Sequence, residues 1–297
     1  MFTGQILLGL IYLFIISSMF SIGLGLSFKS IEKALLKKGV LTASLFINLL
    51  LIPLIAVVLT VILNIRGNIM YGFLAMACAP GASYAPRITE AANGDVGHST
   101  GLMFLLCTLA VFTTPFTLML IIPESTAIDP WPVVKTLLII QIIPILAGML
   151  LRAEKPAIAD RLSGFAFWAS NLSGAVVIVL SLTMIFISES NQGLFSEITG
   201  TGGVIAIIMI TAVSIIISYY AGGVTTEEKR SMAISSANRN AGVAFLIALS
   251  SFESVHTALI IIIIFIIIQT LFTGILAIKW LRNDMKAGKK TIISGGY

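Results

Sequence analysis

Charge is scarce in this chain: Asp, Glu, Lys and Arg together make up 10% of its residues, against 58% hydrophobic. At a mean hydropathy of +1.05, a water-soluble fold would have to expose apolar patches far larger than such folds carry. The chain is therefore read as an integral membrane protein. Its 297 residues are consumed by apolar runs of about 20 residues, the length that crosses a bilayer as a helix, which leaves no room for a separate soluble module. Histidine is nearly absent. His98 and His256 are the only two and both fall at span ends, which excludes a zinc-binding His pair on one helix and a Ser–His couple inside the membrane. The NGDV stretch at 93–96 resembles an intramembrane aspartyl protease motif but lacks the preceding glycine and a second intramembrane aspartate. With no phosphate-binding loop or metal-ligand cluster either, no catalytic residue and no metal site are assigned. The two cysteines, Cys78 and Cys107, lie within apolar runs without paired spacing and read as small core residues. The net charge of +5 comes from loop residues with no aromatic–basic surface or recognition helix, so no nucleic-acid partner follows.

Hydropathy divides the chain into nine spans, near 5–27, 40–63, 69–84, 99–122, 133–151, 163–187, 203–223, 231–250 and 255–281. The first is too long for a signal-peptide core and is read as retained. Alternate loops segregate by charge. One side carries Lys29, Lys33, Lys37, Lys38, Arg87, Arg152, Lys155, Arg161, Lys229, Arg230 and the tail from Lys279 to Lys290, while the other holds Glu124, Asp129, Glu189, Glu197 and Glu253 with only Arg66 and Lys135 among basic residues. By the positive-inside rule the N-terminus is outside and the C-terminus cytoplasmic, in the inner (plasma) membrane. KSIEKALLKKG, between the first two spans, reads as a short interfacial amphipathic helix whose charges are solvated or meet anionic lipid.

Two spans are interrupted: 69–97 by APGASYAPRITE and 231–250 by SSANRNAG. A lipid-facing helix cannot carry these residues, because unsatisfied backbone groups cost several kcal/mol each and a mid-bilayer arginine at least about 2.5 to 3.5 kcal/mol. They are the third and eighth spans, and an offset of five places them in opposite orientations. Paired discontinuous helices of opposite orientation mark an inverted-repeat transporter with its site near the midplane. A channel would need a continuous selectivity lining, which two unlike broken helices do not offer.

In the first interruption Pro80 and Pro86 remove donors and Gly81 permits non-helical angles, so backbone groups around 79–87 are expected to face a cavity, with Ser83 among them. Arg87 and Glu90, three residues apart, either pair on one helix face or belong to the site. Asp95 caps the fourth span or serves ion entry. In the second interruption Asn238, Arg239 and Asn240 are consecutive, and no helix face can hide all three. Arg239 is either an anion ligand or the partner of Glu90 or Asp95.

The Pro80–Gly81 motif, the ANGDVGHSTGL stretch opening the fourth span and the RNAGVAF of the eighth resemble the bile acid:sodium symporter family over essentially the whole chain. The resemblance implies an all-α polytopic membrane protein. Residues 1–297 would be a single transporter domain of nine transmembrane helices, with two crossing discontinuous helices. The spans within 40–122 and 203–281 would form a core, and those within 5–27 and 133–187 a panel. The family's first sodium site falls here on Ala85, Pro86, Ser99, Met103 and Ser235, of which only Ser99 keeps the family's residue. Its second site places the Gln that follows the Glu on Arg239, or on Asn238 if the alignment slips by one. The implied function is alternating-access transport of a small organic anion, bile-acid-like or another carboxylate. Substrate ligands would be Arg239, Arg87, Asn238, Asn240, Gly81 and Ser83, with membrane lipids as the other partner. No cofactor is implied beyond Na⁺ as coupling ion, for which Ser99, Ser235 and Glu90 are the remaining candidates. Because a hard cation normally needs a negative oxygen in its shell, the alternatives are sodium-independent or proton-coupled transport, with Arg87 and Arg239 as fixed positive charge.

Cysteines introduced at Gly39 and Lys289 are expected to label only from the cytoplasm, and one at Glu197 only from outside. Labelling of Gly39→Cys from outside reverses the orientation.

Overall fold

The computed structural model describes residues 2–122, 129–187, 202–252 and 255–288; Glu124, Glu189, Glu197, Glu253 and the tail beyond 288 lie outside them. The helices in chain order are α1 (Phe2–Gly25), α2 (Phe28–Leu36), α3 (Lys38–Ile62), α4 (Gly67–Ala77), α5 (Ala85–Ala91) and α6 (Val96–Ile121), followed by α7 (Pro130–Glu154), α8 (Pro156–Ile187), α9 (Gly203–Ala221), α10 (Thr226–Ala237), α11 (Ala241–Ser251) and α12 (Val255–Lys286). Among the described residues seven helices are long and apolar enough to cross a membrane: α1, α3, α6, α7, α8, α9 and α12. The third and eighth expected spans are instead helix pairs, α4–α5 and α10–α11, each with a non-helical break. The first break is shorter than the sequence suggested. Pro86 sits in the first turn of α5, where a missing N–H costs nothing, so the released backbone is confined to 78–84.

Polarity is distributed inside out relative to a soluble protein. Leu120, Val61, Phe165 and Ile62 are each at least 70% exposed on the outer surface, while Asn48, Gln141, Gln269, Ser235 and Arg239 are almost wholly buried. Lipid solvates the first set, and the second must be satisfied by other protein groups.

Two of the long helices contain a π-helical turn, Ile47–Leu51 in α3 and Leu138–Ile142 in α7, each followed closely by a proline, Pro53 or Pro144. The proline lacks an N–H and its ring crowds the preceding turn, and one wide turn absorbs both defects. Each wide turn carries one buried amide, Asn48 or Gln141. Helix α1 packs on α7 and α8. Its closest approach to α7 is at Gly23 and Gly148, where a Cβ on Gly23 would lie 2.3 Å from the Ile145 carbonyl oxygen. Small residues of this kind let membrane helices gain dispersion contacts where no hydrophobic effect acts between them.

Helix α2 is the expected amphipathic segment. Ser27 caps it, Phe28 and Leu36 are exposed, and its other face lies on α6. Lys33 and Lys37 tie it to Asp95 at 2.7 and 3.6 Å, and Lys37 also pairs with Glu228. Asp95 caps α6 by accepting from the His98 N–H at 3.0 Å. Helix α10 opens with a reciprocal capping box between Thr225 and Glu228, which satisfies two of its free donors.

Lys33 and Lys37, expected to meet water or anionic lipid, thus pair with carboxylates, and a third loop charge departs further from the sequence reading. Arg230 is 5% exposed rather than a solvated orienting residue, and it meets the equally buried Asp284 of α12 through Nη2–Oδ1 at 3.0 Å. Arg230 Nη1 also donates to the Ala92 carbonyl at 2.9 Å, and the Asn93 amide donates to Asp284 at 2.9 Å. The end of α12 is thereby joined to both broken segments.

Breaking a buried pair strands a charge, so Asp284→Ala is expected to cost about 3 to 5 kcal/mol and to lower Tm sharply in detergent, while the apolar double variant Arg230→Met/Asp284→Leu recovers most of the loss. At Asp95, burial raises the carboxyl pKa, but the Lys33 and His98 N–H hydrogen bonds and the Lys33 and Lys37 charges outweigh it and hold the group below its usual value. A depressed folded pKa contributes stability that is complete above the unfolded value of about 3.9 and is lost as pH falls through the folded value. Tm should therefore fall on acidification below about pH 4, and Asp95→Asn, which keeps a cap but no charge, should flatten that dependence.

Candidate functional site

The two breaks meet. Pro80 and Arg239 form an antiparallel bridge, and the Asn240 N–H donates to the Ala79 carbonyl at 2.7 Å. On the other side of this short pairing Gln269 of α12 takes the place of a third strand. Its Oε1 accepts from the Arg239 N–H at 3.0 Å and its Nε2 donates to the Arg239 carbonyl at 3.3 Å. The same Nε2 reaches the Tyr84 hydroxyl at 2.5 Å. Thr114 of α6 donates to the Cys78 carbonyl at 2.7 Å, and Cys107 Sγ donates to the Gly81 carbonyl at 2.8 Å. Gly81 has φ +90°, and a Cβ there would lie 2.7 Å from Cys107 Sγ, so both the turn and the contact require glycine.

The three consecutive polar residues divide their work. Asn238 donates to the Ile234 carbonyl at 2.8 Å, and its Oδ1 accepts from Thr273 at 3.4 Å. Asn240 caps α11, its Oδ1 accepting from the Val243 N–H at 3.3 Å. Arg239 differs: its side chain is 1% exposed, and Nη1 and Nη2 have no hydrogen-bond partner among the described residues. The alternative of an Arg239–Asp95 pair is set aside, because Asp95 is engaged by Lys33 and Lys37.

A cavity of about 370 Å³ opens beside the crossing. Phe14, Ser18, Ser21 and Ile22 of α1 line one wall together with Phe167, Ser170 and Asn171 of α8; Ser83, Tyr84, Pro86 and Arg87 line the other, with Thr100 and Met103 of α6. The Arg87 guanidinium lies 3.3 Å from the centre of the Phe167 ring, a cation–π contact across the cavity. Ser18 Oγ is buried on this wall without a partner among the described residues.

Of the six expected substrate ligands, Ser83 and Arg87 line the cavity, whereas Gly81, Asn238, Arg239 and Asn240 lie in the crossing and are buried. The crossing and the cavity share Tyr84, held by the amide that brackets Arg239. Ser99 and Ser235 come together at 2.9 Å, and Thr89, which the sequence did not single out, joins Ser99 at 3.0 Å. Glu90 follows Thr89 on α5 and is partly buried. A parallel contact links Asn48 of α3 to Ser236 at 2.8 Å. Asn48, Gln141 and Gln269 each had a visible signal, a single amide within an apolar run; Thr89 had none.

Among curated proteins, the chain is similar to the "Uncharacterized sodium-dependent transporter YocS" of Bacillus subtilis (strain 168), with 25% identity over 134 residues, 45% of this chain and 42% of that protein. The match thus spans less than half the length of that relative. The profile described as the sodium bile acid symporter family matches residues 11–192, well over half of the sequence. On that match the chain belongs to the sodium bile acid symporter family.

Proposed function

We propose that the protein moves a small organic anion across the inner membrane by alternating access, and that Arg239 supplies fixed positive charge at the crossing in place of bound sodium. In this reading nine spans run from an outer N-terminus to a cytoplasmic C-terminus. Helices α1, α7 and α8 form a panel, and the remaining spans form the core that carries the two breaks.

The observation that carries the reading is the buried guanidinium of Arg239 with two unpartnered nitrogens at the point where the broken segments cross. A charge left in this state is costly unless a ligand or water completes it, and an organic anion supplies the missing acceptors. Arg87, Ser83 and Tyr84 on the cavity wall would receive the anion first, with Phe167 and Ile22 against its apolar part. Sodium symport, the activity in the family's description, is the second reading. The three buried hydroxyls of Thr89, Ser99 and Ser235 favour it as neutral oxygen ligands. Against it, those hydroxyls bond one another and none carries the negative charge a sodium site normally includes.

The test is anion binding to purified protein in sodium or choline chloride at equal ionic strength, after a thermal-shift screen of small carboxylates. Affinity should change little between the salts. Arg239→Lys keeps the charge but loses the forked geometry, and Arg239→Gln loses both, so binding should weaken stepwise by about 10- to 100-fold, the range of a charge-assisted hydrogen bond. A steep, saturable sodium requirement that potassium cannot meet would restore symport. Unchanged affinity in folded Arg239→Gln would remove this residue from the site.

A further inference from the structure

Two cavities meet the middle of α1, where Phe14 lines one and Tyr12 the other. Besides the one just described, a second of about 300 Å³ is lined by Tyr12 of α1, Asp129, Val133 and Thr136 around the start of α7, and Leu246 and Ser250 of α11. Helices α1 and α7 each line both cavities, and α6 lines the first. On α1, Tyr12 lines the second cavity and Phe14 the first, and Ile15 and Phe14 rest against Gly242 at the start of α11. A Cβ on Gly242 would lie 2.7 Å from Ile15 Cγ1 and 3.3 Å from Phe14 Cε1.

On α7, Thr136 lines the second cavity and Arg152 the first. Between them Gln141, wholly buried, donates from Nε2 to the Cys107 carbonyl of α6 at 2.6 Å. On α6, Met103 lines the first cavity and Cys107 is one turn further along. Cys107 Sγ also bonds to Gly81 and is approached by the Asn240 amide at 3.9 Å, so this closed layer lies at the crossing itself.

We propose that this layer is the barrier between the two halves of one passage, and that Gln141 is the positioning residue that holds it shut; the proposal rests on the transport reading above. Its construction suits a barrier that must reopen. The wide π-turn before Pro144 frees Gln141 from ordinary helical register, and such turns often mark functional positions. Only the donor end of its amide is satisfied; Oε1 has no partner among the described residues. An unmade buried bond offsets much of a made one, so the tie closes the layer without locking it. Gly242 acts separately, since α1 can approach α11 this closely only where no side chain intervenes.

The test uses the full chain in sealed vesicles of known orientation, in a Cys78→Ala/Cys107→Ser background that keeps the backbone carbonyl at 107 and a hydroxyl donor to Gly81. Cysteines at Ser21, in the first cavity, and at Ser250, in the second, are labelled with a membrane-impermeant thiol reagent added to one face at a time. In the parent each should label from its own face. Loss of one hydrogen bond in Gln141→Leu should raise labelling from the opposite face by about 3- to 10-fold, and Gly242→Ala should do so through a different contact. Phe14→Ala serves if either variant fails to fold, as judged by Tm. Unchanged opposite-face labelling in the folded variants overturns the barrier while leaving the transport reading intact. If both parent cysteines label from one face only, there is no through-passage, and the transport reading falls together with the barrier.

Discussion

The architecture turns on one requirement: backbone groups exposed by a break inside the membrane must be hydrogen bonded by protein, because lipid offers nothing and each unmet group costs several kcal/mol. At the crossing the requirement is met by a miniature sheet of side chain and backbone. Ala79 accepts on one edge, and Gln269 both accepts and donates on the other. Helix α12 must therefore stand beside both breaks, and the Arg230–Asp284 pair with its Ala92 and Asn93 contacts anchors its end there. Backbone satisfaction leaves Nη1 and Nη2 of Arg239 without partners among the described residues, so the fold's solution to one polar problem exposes another that a ligand can solve.

The features legible in the sequence were those written in contiguous residues. The two interrupted spans, the Asp95 cap and the amphipathic α2 each depend on a local pattern, and each is present. What could not be read were the partners. Arg230 looks like any basic residue preceding a span; its burial depends on Asp284, 54 positions away. Asn238 and Asn240 share polarity and adjacency with Arg239, yet the backbone turns between them, and the two amides are spent on helix ends while the guanidinium is not. Pro86 follows Pro80 by six residues and in sequence reads as part of the same break, but a proline in a first helical turn helps a helix to begin.

The hydroxyl contacts give the sodium question a physical form. Thr89, Ser99 and Ser235 already pair at about the spacing of ordinary hydrogen bonds, so a cation binding there must first separate them and then accept a shell of neutral dipoles. Fixed positive charge on neighbouring segments raises that cost further. Helix α10 spans the contrast, with Ser235 in its last turns and Arg239 just beyond its end.

The link between α1 and α2 consists of Leu26 and Ser27 alone. At both ends the chain is clamped, by the Gly23–Gly148 contact on one side and by the Lys33–Asp95 pair on the other. A two-residue tether reaches about 7 Å when fully extended, so it lets α1 swing about that point but not slide along α6. If the two bodies move against each other, the stroke is an arc with its fixed end at Ser27, and displacement grows with distance toward Tyr12. Tyr12, on the second cavity, then moves farther than Ser21 or Ile22 on the first.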